Sequence, residues 1–161
     1  MKEKIVALAI CLAIAGVAIP AYASETATIT VTVTPTGTLS ISVTPTTYDF
    51  GNLAYGSEAN TGTTGYFTVS NDGTLACKVQ IYASNTANWT LGSSPGYNIF
   101  VVNATTSTWA SAITLTTTAQ DFITSLNPGS SQTFDIGLKM PTSGDTTAQQ
   151  SIIVTLQAVA I

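Results

Sequence analysis

Histidine and arginine are absent from this chain of 161 residues, and charged side chains make up only 7% of it. Without histidine, the chain lacks the base of Ser-His catalytic sites and the most common zinc ligand. A G-x-S-x-G motif occurs at residues 92–96, but there is no histidine to activate its serine. We therefore expect no enzymatic activity, no cofactor and no metal site, with calcium at a loop end as the open alternative.

The first 23 residues have the pattern of a cleavable signal peptide. Two lysines provide a positively charged start, and residues 5–19 form an apolar run without charge. The sequence AYA at residues 21–23 has small residues where signal peptidase requires them, which predicts cleavage before Ser24. The apolar run is shorter than the roughly 20 residues that span a bilayer. We therefore expect a secreted or cell-surface protein with no stable membrane insertion after cleavage.

The predicted mature chain, residues 24–161, is acidic and contains one cysteine. Two lysines stand against seven carboxylates, so its formal net charge is −5. With so little positive charge, no basic patch can form, and nucleic acid is not an expected partner. Cys77 has no second cysteine with which to form an intramolecular disulfide, and its alternating neighbours favour burial as a small apolar side chain.

Apolar and polar residues alternate through much of the mature chain, which predicts β-strands. The alternation is strictest at residues 28–34, where Ile29, Val31 and Val33 share one face and threonines occupy the other. About eight or nine such segments, separated by turn residues and without helical periodicity, predict an all-β antiparallel sandwich.

Turn residues divide this pattern into smaller units. Asn71-Asp72-Gly73 predicts a hairpin between the strands on its two sides, because these residue types tolerate positive φ. In the strand near residue 135, alternation places Asp135 and Lys139 on the outward face. The predicted organisation is a signal peptide at 1–23, an N-terminal strand segment at 24–44 and a sandwich domain at 45–161. The segment 24–44 is a candidate donor arm with its hinge at Pro45.

From residue 45 onward, the sequence resembles the immunoglobulin-like domains of secreted bacterial and archaeal proteins. The motifs that carry the resemblance are DFG at 49–51, FTVSNDG at 67–73 and LNPG at 126–129. The resemblance implies an immunoglobulin-like β-sandwich that acts as a scaffold or surface module.

Two weaker resemblances concern assembly and binding. Residues 24–44 are similar to the terminal strand that some secreted filament subunits lend to a neighbour, which would place Ile29, Val31 and Val33 in the neighbour's groove. The alternative is that this strand pairs within its own domain. The sequence WTL at 89–91 resembles the Trp-x-Leu motif of Gram-positive surface domains, which implies cell-wall binding.

The expected function is that of a non-catalytic structural protein of the cell surface or extracellular matrix, such as a filament, pilus-like or coat subunit. The expected partner is another copy of the chain or another surface protein. One alternative is an adhesin or a carbohydrate- or cell-wall-binding module, with Tyr55, Tyr82 and Trp89 as candidate ligand aromatics. Another is an accessory domain that docks on a larger secreted protein. Sequons make Asn88 and Asn103 candidate glycosylation sites.

Overall fold

A computed structural model describes residues 27–161, and the predicted signal peptide lies outside the described residues. The chain divides into two units, Met1–Thr34 and Pro35–Ile161. Residues 27–34 of the first unit form no strand, whereas the second unit is all-β. No helix within the described range has the length and apolar character needed to cross a membrane.

Strands and one 3₁₀ turn make up the regular structure of the described residues. In chain order they are β1 (Ile41–Thr44), β2 (Glu58–Asn60), β3 (Phe67–Asn71), β4 (Cys77–Ala83), β5 (Thr90–Leu91), β6 (Ile99–Thr105), the 3₁₀ turn (Trp109–Ser111), β7 (Ile113–Thr114), β8 (Gln120–Leu126), β9 (Ser131–Lys139) and β10 (Val154–Ala160).

These strands form two sheets. The larger sheet has the order β1-β3-β9-β6-β5, with β2 also paired to β9 and β7 to β6, and the smaller sheet has the order β10-β4-β8. All strand pairs are antiparallel except β5–β6. Apolar side chains from both sheets form one buried core. The prediction of an all-β fold is confirmed.

The alternation of β4 shows how the sequence builds this core. Cys77, Val79 and Ile81 are fully buried, while the residues between them are partly exposed. Successive side chains of a strand point to opposite faces, so one face of β4 joins the core and the other faces outward. Burial of Cys77 agrees with its interpretation as a small apolar side chain, and it raises the pKa of the thiol.

The prediction of a hairpin at Asn71-Asp72-Gly73 is wrong. β3 pairs with β1 and β9, whereas β4 pairs with β10 and β8, so the turn carries the chain from one sheet to the other. The Asn71 side chain stabilises this crossing by donating to the carbonyl oxygens of Leu75 and Leu126, at 2.9 and 2.8 Å. Turn residues predict a change of direction, but they do not select the partner of the next strand.

The domain begins earlier than the proline predicted as its hinge. β1 precedes Pro45 and pairs with β3 over its whole length, from Ile41 opposite Asn71 to Thr44 opposite Thr68. The compact unit begins at Pro35, so residues 41–44 belong to the sandwich and the candidate arm is shorter than the predicted 24–44.

Candidate functional site

A groove of about 1240 Å³ opens between β1 and β10, the edge strands of the two sheets. Within residues 27–161, β1 pairs with β3 alone and β10 with β4 alone, so each strand has one edge without a partner. Segments 45–55 and 146–152 complete the walls. The sandwich is therefore open along one side, where its interior is accessible.

The surface of this groove is about half apolar and half polar. Nine partly buried apolar side chains line it, and each also packs against the core: Ile41, Val43, Phe50, Leu53, Tyr55, Phe67, Ile152, Val154 and Leu156. Buried core residues such as Phe134 and Leu138 form its floor. Asp49 is the one charged residue of its lining in the described structure. Concave surfaces that combine apolar side chains with polar groups are typical of binding sites.

Aromatic rings pack against one another in the wall beside β1 and β3. Tyr48 packs edge-on against Phe50 and Tyr66, with ring centroids 4.8 Å apart in both pairs. Phe67 stacks on Phe134 of the neighbouring strand at 5.2 Å. Such aromatic pairs stabilise a fixed arrangement beyond the effect of burial alone. The groove therefore has a preformed wall on this side.

Tyr55 and Trp89 lie together at another part of the groove lining, with ring centroids 6.2 Å apart. The Tyr55 hydroxyl donates a hydrogen bond to the Thr146 carbonyl oxygen. Trp89 is buried, and its indole N–H has no hydrogen-bond acceptor among the described residues. Tyr82, the third candidate ligand aromatic, lies on the outward face of β4. The structure thus brings two of the three candidates together, and the indole of Trp89 is not exposed for stacking on a sugar.

The candidate donor residues are fully accessible to solvent. Ile29, Val31 and Val33 are 90%, 84% and 86% exposed. They occupy alternate positions in residues 27–34, a segment without charge. β-branched residues at alternate positions favour a strand, yet this segment has no strand partner in the described chain. Its sequence is typical of a strand, but it belongs to no sheet among the described residues.

The first residues of the second unit are tied to the turn between β3 and β4. The Thr38 carbonyl oxygen accepts hydrogen bonds from the backbone N–H groups of Thr74 and Leu75, at 3.0 and 3.2 Å. Gly37 lies so close to Leu75 that a Cβ there would fall 2.4 Å from the leucine side chain. The chain is therefore anchored three residues after Thr34.

Asp135 is a buried carboxylate whose position the sequence did not reveal. It was predicted to face outward, but it is 2% exposed because residues 61–66 cover that face of β9. Burial alone would raise its pKa, but hydrogen bonds from the Tyr66 N–H, the Thr61 hydroxyl and the Gly65 N–H outweigh burial and lower the pKa. A carboxylate that accepts three hydrogen bonds holds the covering segment in place. Glycines at 62 and 65 were the available signal for a close-packed loop.

The two predicted glycosylation sites differ in their surroundings. Asn88 is exposed in the loop before β5. Asn103 lies within β6, and its side-chain oxygen accepts a hydrogen bond from the Thr114 hydroxyl at 3.0 Å. Asn88 is therefore the more accessible acceptor. Among the residues that the structure describes, no group of three or more acidic or cysteine side chains could hold a metal ion.

No protein-family model, curated protein or solved structure matches this chain. The groove and the exposed strand segment are therefore the features from which a function can be argued.

Proposed function

We propose that this chain is an exported, non-catalytic structural subunit of the cell surface or extracellular matrix that polymerises by β-strand addition. The donated strand would be residues 27–34. The observation that carries this proposal is the exposure of Ile29, Val31 and Val33 in a segment that no described strand pairs with.

The physical chemistry of this segment favours incorporation into a sheet. Full burial of a valine or isoleucine side chain contributes about 1.5–3 kcal/mol, and three such side chains lie on one face of the segment. Strand addition also supplies partners for main-chain N–H and C=O groups, while side chains at alternate positions fill pockets. Threonines at the intervening positions would face solvent. Both faces of the segment thus suit a strand with one buried side.

The order of the strands supports an immunoglobulin-like arrangement with one open position. Constant-type immunoglobulin domains have the orders A-B-E-D and C-F-G in their two sheets. Here β1-β3-β9-β6 corresponds to A-B-E-D, and β4-β10 corresponds to C-F. The position of strand G, beside β10, has no strand within residues 27–161. β8 departs from this scheme because it pairs with β4 but follows β6 in the chain.

Filament formation tests the polymerisation proposal. The chain that begins at Ser24 would be purified and examined by negative-stain electron microscopy beside two single variants, Val31→Asp and Thr32→Asp. We expect filaments from the parent chain and from Thr32→Asp, whose new charge faces solvent. We expect none from Val31→Asp, because its charge would lose hydration in a groove whose described lining has no positive charge.

The two variants carry the same charge at adjacent positions, so each controls for the other's effect on solubility. Dispersed monomers from the parent chain and both variants would reject polymerisation. Equal filament formation by the parent chain and Val31→Asp would reject residues 27–34 as the donated strand. Deletion of all of residues 24–44 is a poor test, because it would also remove β1 from its sheet.

Export is supported by the signal pattern of residues 1–23. The full-length chain expressed in a bacterial host should appear outside the cytoplasm, and N-terminal sequencing should begin at Ser24. Retention of an intact Met1 in the cytoplasmic fraction would contradict this part of the proposal.

A further inference from the structure

We propose that the groove between β1 and β10 is the acceptor site for residues 27–34 of a second copy of this chain, and that the donated strand pairs with the open edge of β10. This inference rests on the proposed function and adds the location of the acceptor.

The lengths of the two edge strands favour β10. β10 has seven residues, close to the eight of the donated segment, whereas β1 has four. Pro45 follows β1 directly, and proline has no N–H with which to continue a ladder. An added strand of this length can therefore form a continuous ladder along β10 but not along β1.

The inward face of β10 continues the groove. Leu156 lies opposite the buried Ile81, and Val154 lies opposite Ala83, so both point toward the core. The same two residues line the groove, which Ile41 and Val43 border on the other side. A strand added beside β10 would place alternate side chains between these two pairs. Ile29, Val31 and Val33 have the required two-residue spacing.

The chemistry of the groove matches this occupant. Residues 27–34 carry no charge, and Asp49 is the one charged residue of the described lining. A charged peptide would lose its hydration there without an opposite charge to compensate. The donor's threonines would lie on the outward face with Thr155 and Gln157 of β10, which alternate with Val154 and Leu156. The donor's apolar side chains would therefore contact apolar side chains of the groove, and its threonines would lie beside polar residues of β10.

A second copy is the source of the strand because the segment stays exposed within the single chain. Ile29 and Val33 are 90% and 86% exposed. The first tie to the β3–β4 turn follows at Thr38. Each copy therefore offers a donor and an acceptor at once, which is sufficient for a head-to-tail polymer.

Disulfide trapping between two different chains tests the acceptor. One chain would carry Thr32→Cys, and the other would carry Thr155→Cys or Gln157→Cys on the outward face of β10. The control acceptor is Thr124→Cys on β8, the opposite edge of the same sheet. Disulfides require Cα atoms about 4.4–6.8 Å apart, so they report neighbouring strands. All chains begin at Ser24, carry Cys77→Ala, and are mixed before oxidation.

We expect several-fold more disulfide-linked heterodimer with a β10 cysteine than with the β8 control. Parallel samples that keep Cys77 repeat the test if the alanine variant folds poorly, because the native thiol is buried and unreactive. Filaments that trap the β8 cysteine, or neither strand, would overturn the acceptor site but leave the polymerisation proposal intact. Absence of both filaments and disulfides would overturn both.

A chain that carries Thr32→Cys together with Gln157→Cys separates the two sources of the strand. Intermolecular ladders on a non-reducing gel would support a second copy. Internally crosslinked monomers at high protein concentration would overturn the proposal, because they would show that the chain's own segment fills the groove.

Discussion

Residues 27–34 and β4 have the same sequence pattern and opposite environments. Both alternate apolar and polar side chains. In β4, Val79 and Ile81 are fully buried between the sheets, whereas Val31 and Val33 are more than four-fifths exposed. β4 lies at the centre of its sheet with a partner on each side. The comparison shows that alternation predicts a capacity to form a strand, while the partner depends on the rest of the fold.

The positions beside β4 and beside β10 also differ. Where β4 lies, both neighbouring positions of the sheet are occupied. Beside β10, one position is open within residues 27–161, and apolar side chains face it. In the polymer proposed above, residues 27–34 of one copy would occupy this open position of another.

The same substitution in the two segments should have very different effects on stability. Ile81→Ala removes a fully buried side chain and should lower the free energy of unfolding by about 2–5 kcal/mol. Ile29→Ala removes an exposed one and should change it by less than about 0.5 kcal/mol. Urea denaturation of dilute monomer measures both. A large loss in Ile29→Ala would mean that the segment is already packed in the single chain.

Hydrogen bonds to Asp135 hold a packed segment in place. Residues 27–34 have no comparable hydrogen bonds in the described structure. Asp135→Asn replaces one acceptor oxygen with a donor that faces N–H and hydroxyl donors. It should lower the free energy of unfolding by about 1.5–3 kcal/mol near neutral pH. Thermal unfolding measures this, and Asp72→Asn on the exposed turn is the control.

The contribution of Asp135 should depend on pH. Its pKa is lower in the folded state than its ordinary value, so the ionised form stabilises the fold. This stabilisation is complete above the ordinary aspartate pKa and is lost as the pH falls through the lower, folded-state value. The stability difference between the parent chain and Asp135→Asn should therefore shrink in acid. A difference that stays constant down to the most acidic folded condition would contradict this role.

Asn71 holds the start of β4 in register with β8. Asn71→Ala leaves the Leu75 and Leu126 carbonyl oxygens without their side-chain donor. We expect a loss of about 1–2 kcal/mol in the free energy of unfolding, with faster amide exchange near Cys77. Exchange that is unchanged around this turn would show that the register depends on core packing alone.

The outward face of β4 should contribute least. Asp121 accepts hydrogen bonds from Gln80 and Lys78, and these contacts lower its pKa, but the group is exposed. Asp121→Asn should shift the midpoint of thermal unfolding only slightly, because exposed ion pairs contribute little. The shift should become smaller still at high salt. A large shift would mean that the outward face of β4 is covered in solution.

The all-β fold class could be predicted from the sequence, whereas the groove and the exposure of residues 27–34 could not. Alternation at Cys77, Val79 and Ile81 is a local property that survives in the structure. The partners of β3 and β4 depend on long-range packing, so the turn at Asn71 was assigned to a hairpin that does not form. Asp135 was placed outward because alternation cannot indicate that a distant loop covers the second face. The open edge of β10 has no local signal at all.

The short connection after Thr34 limits the distance between the exposed segment and the rest of the chain. Only Pro35 and Thr36 separate the exposed segment from Gly37, which is packed against Leu75. Proline fixes one of the backbone dihedral angles in this connection. Two connecting residues span at most about 7 Å, so in the proposed polymer each donated strand would stay close to the domain from which it comes.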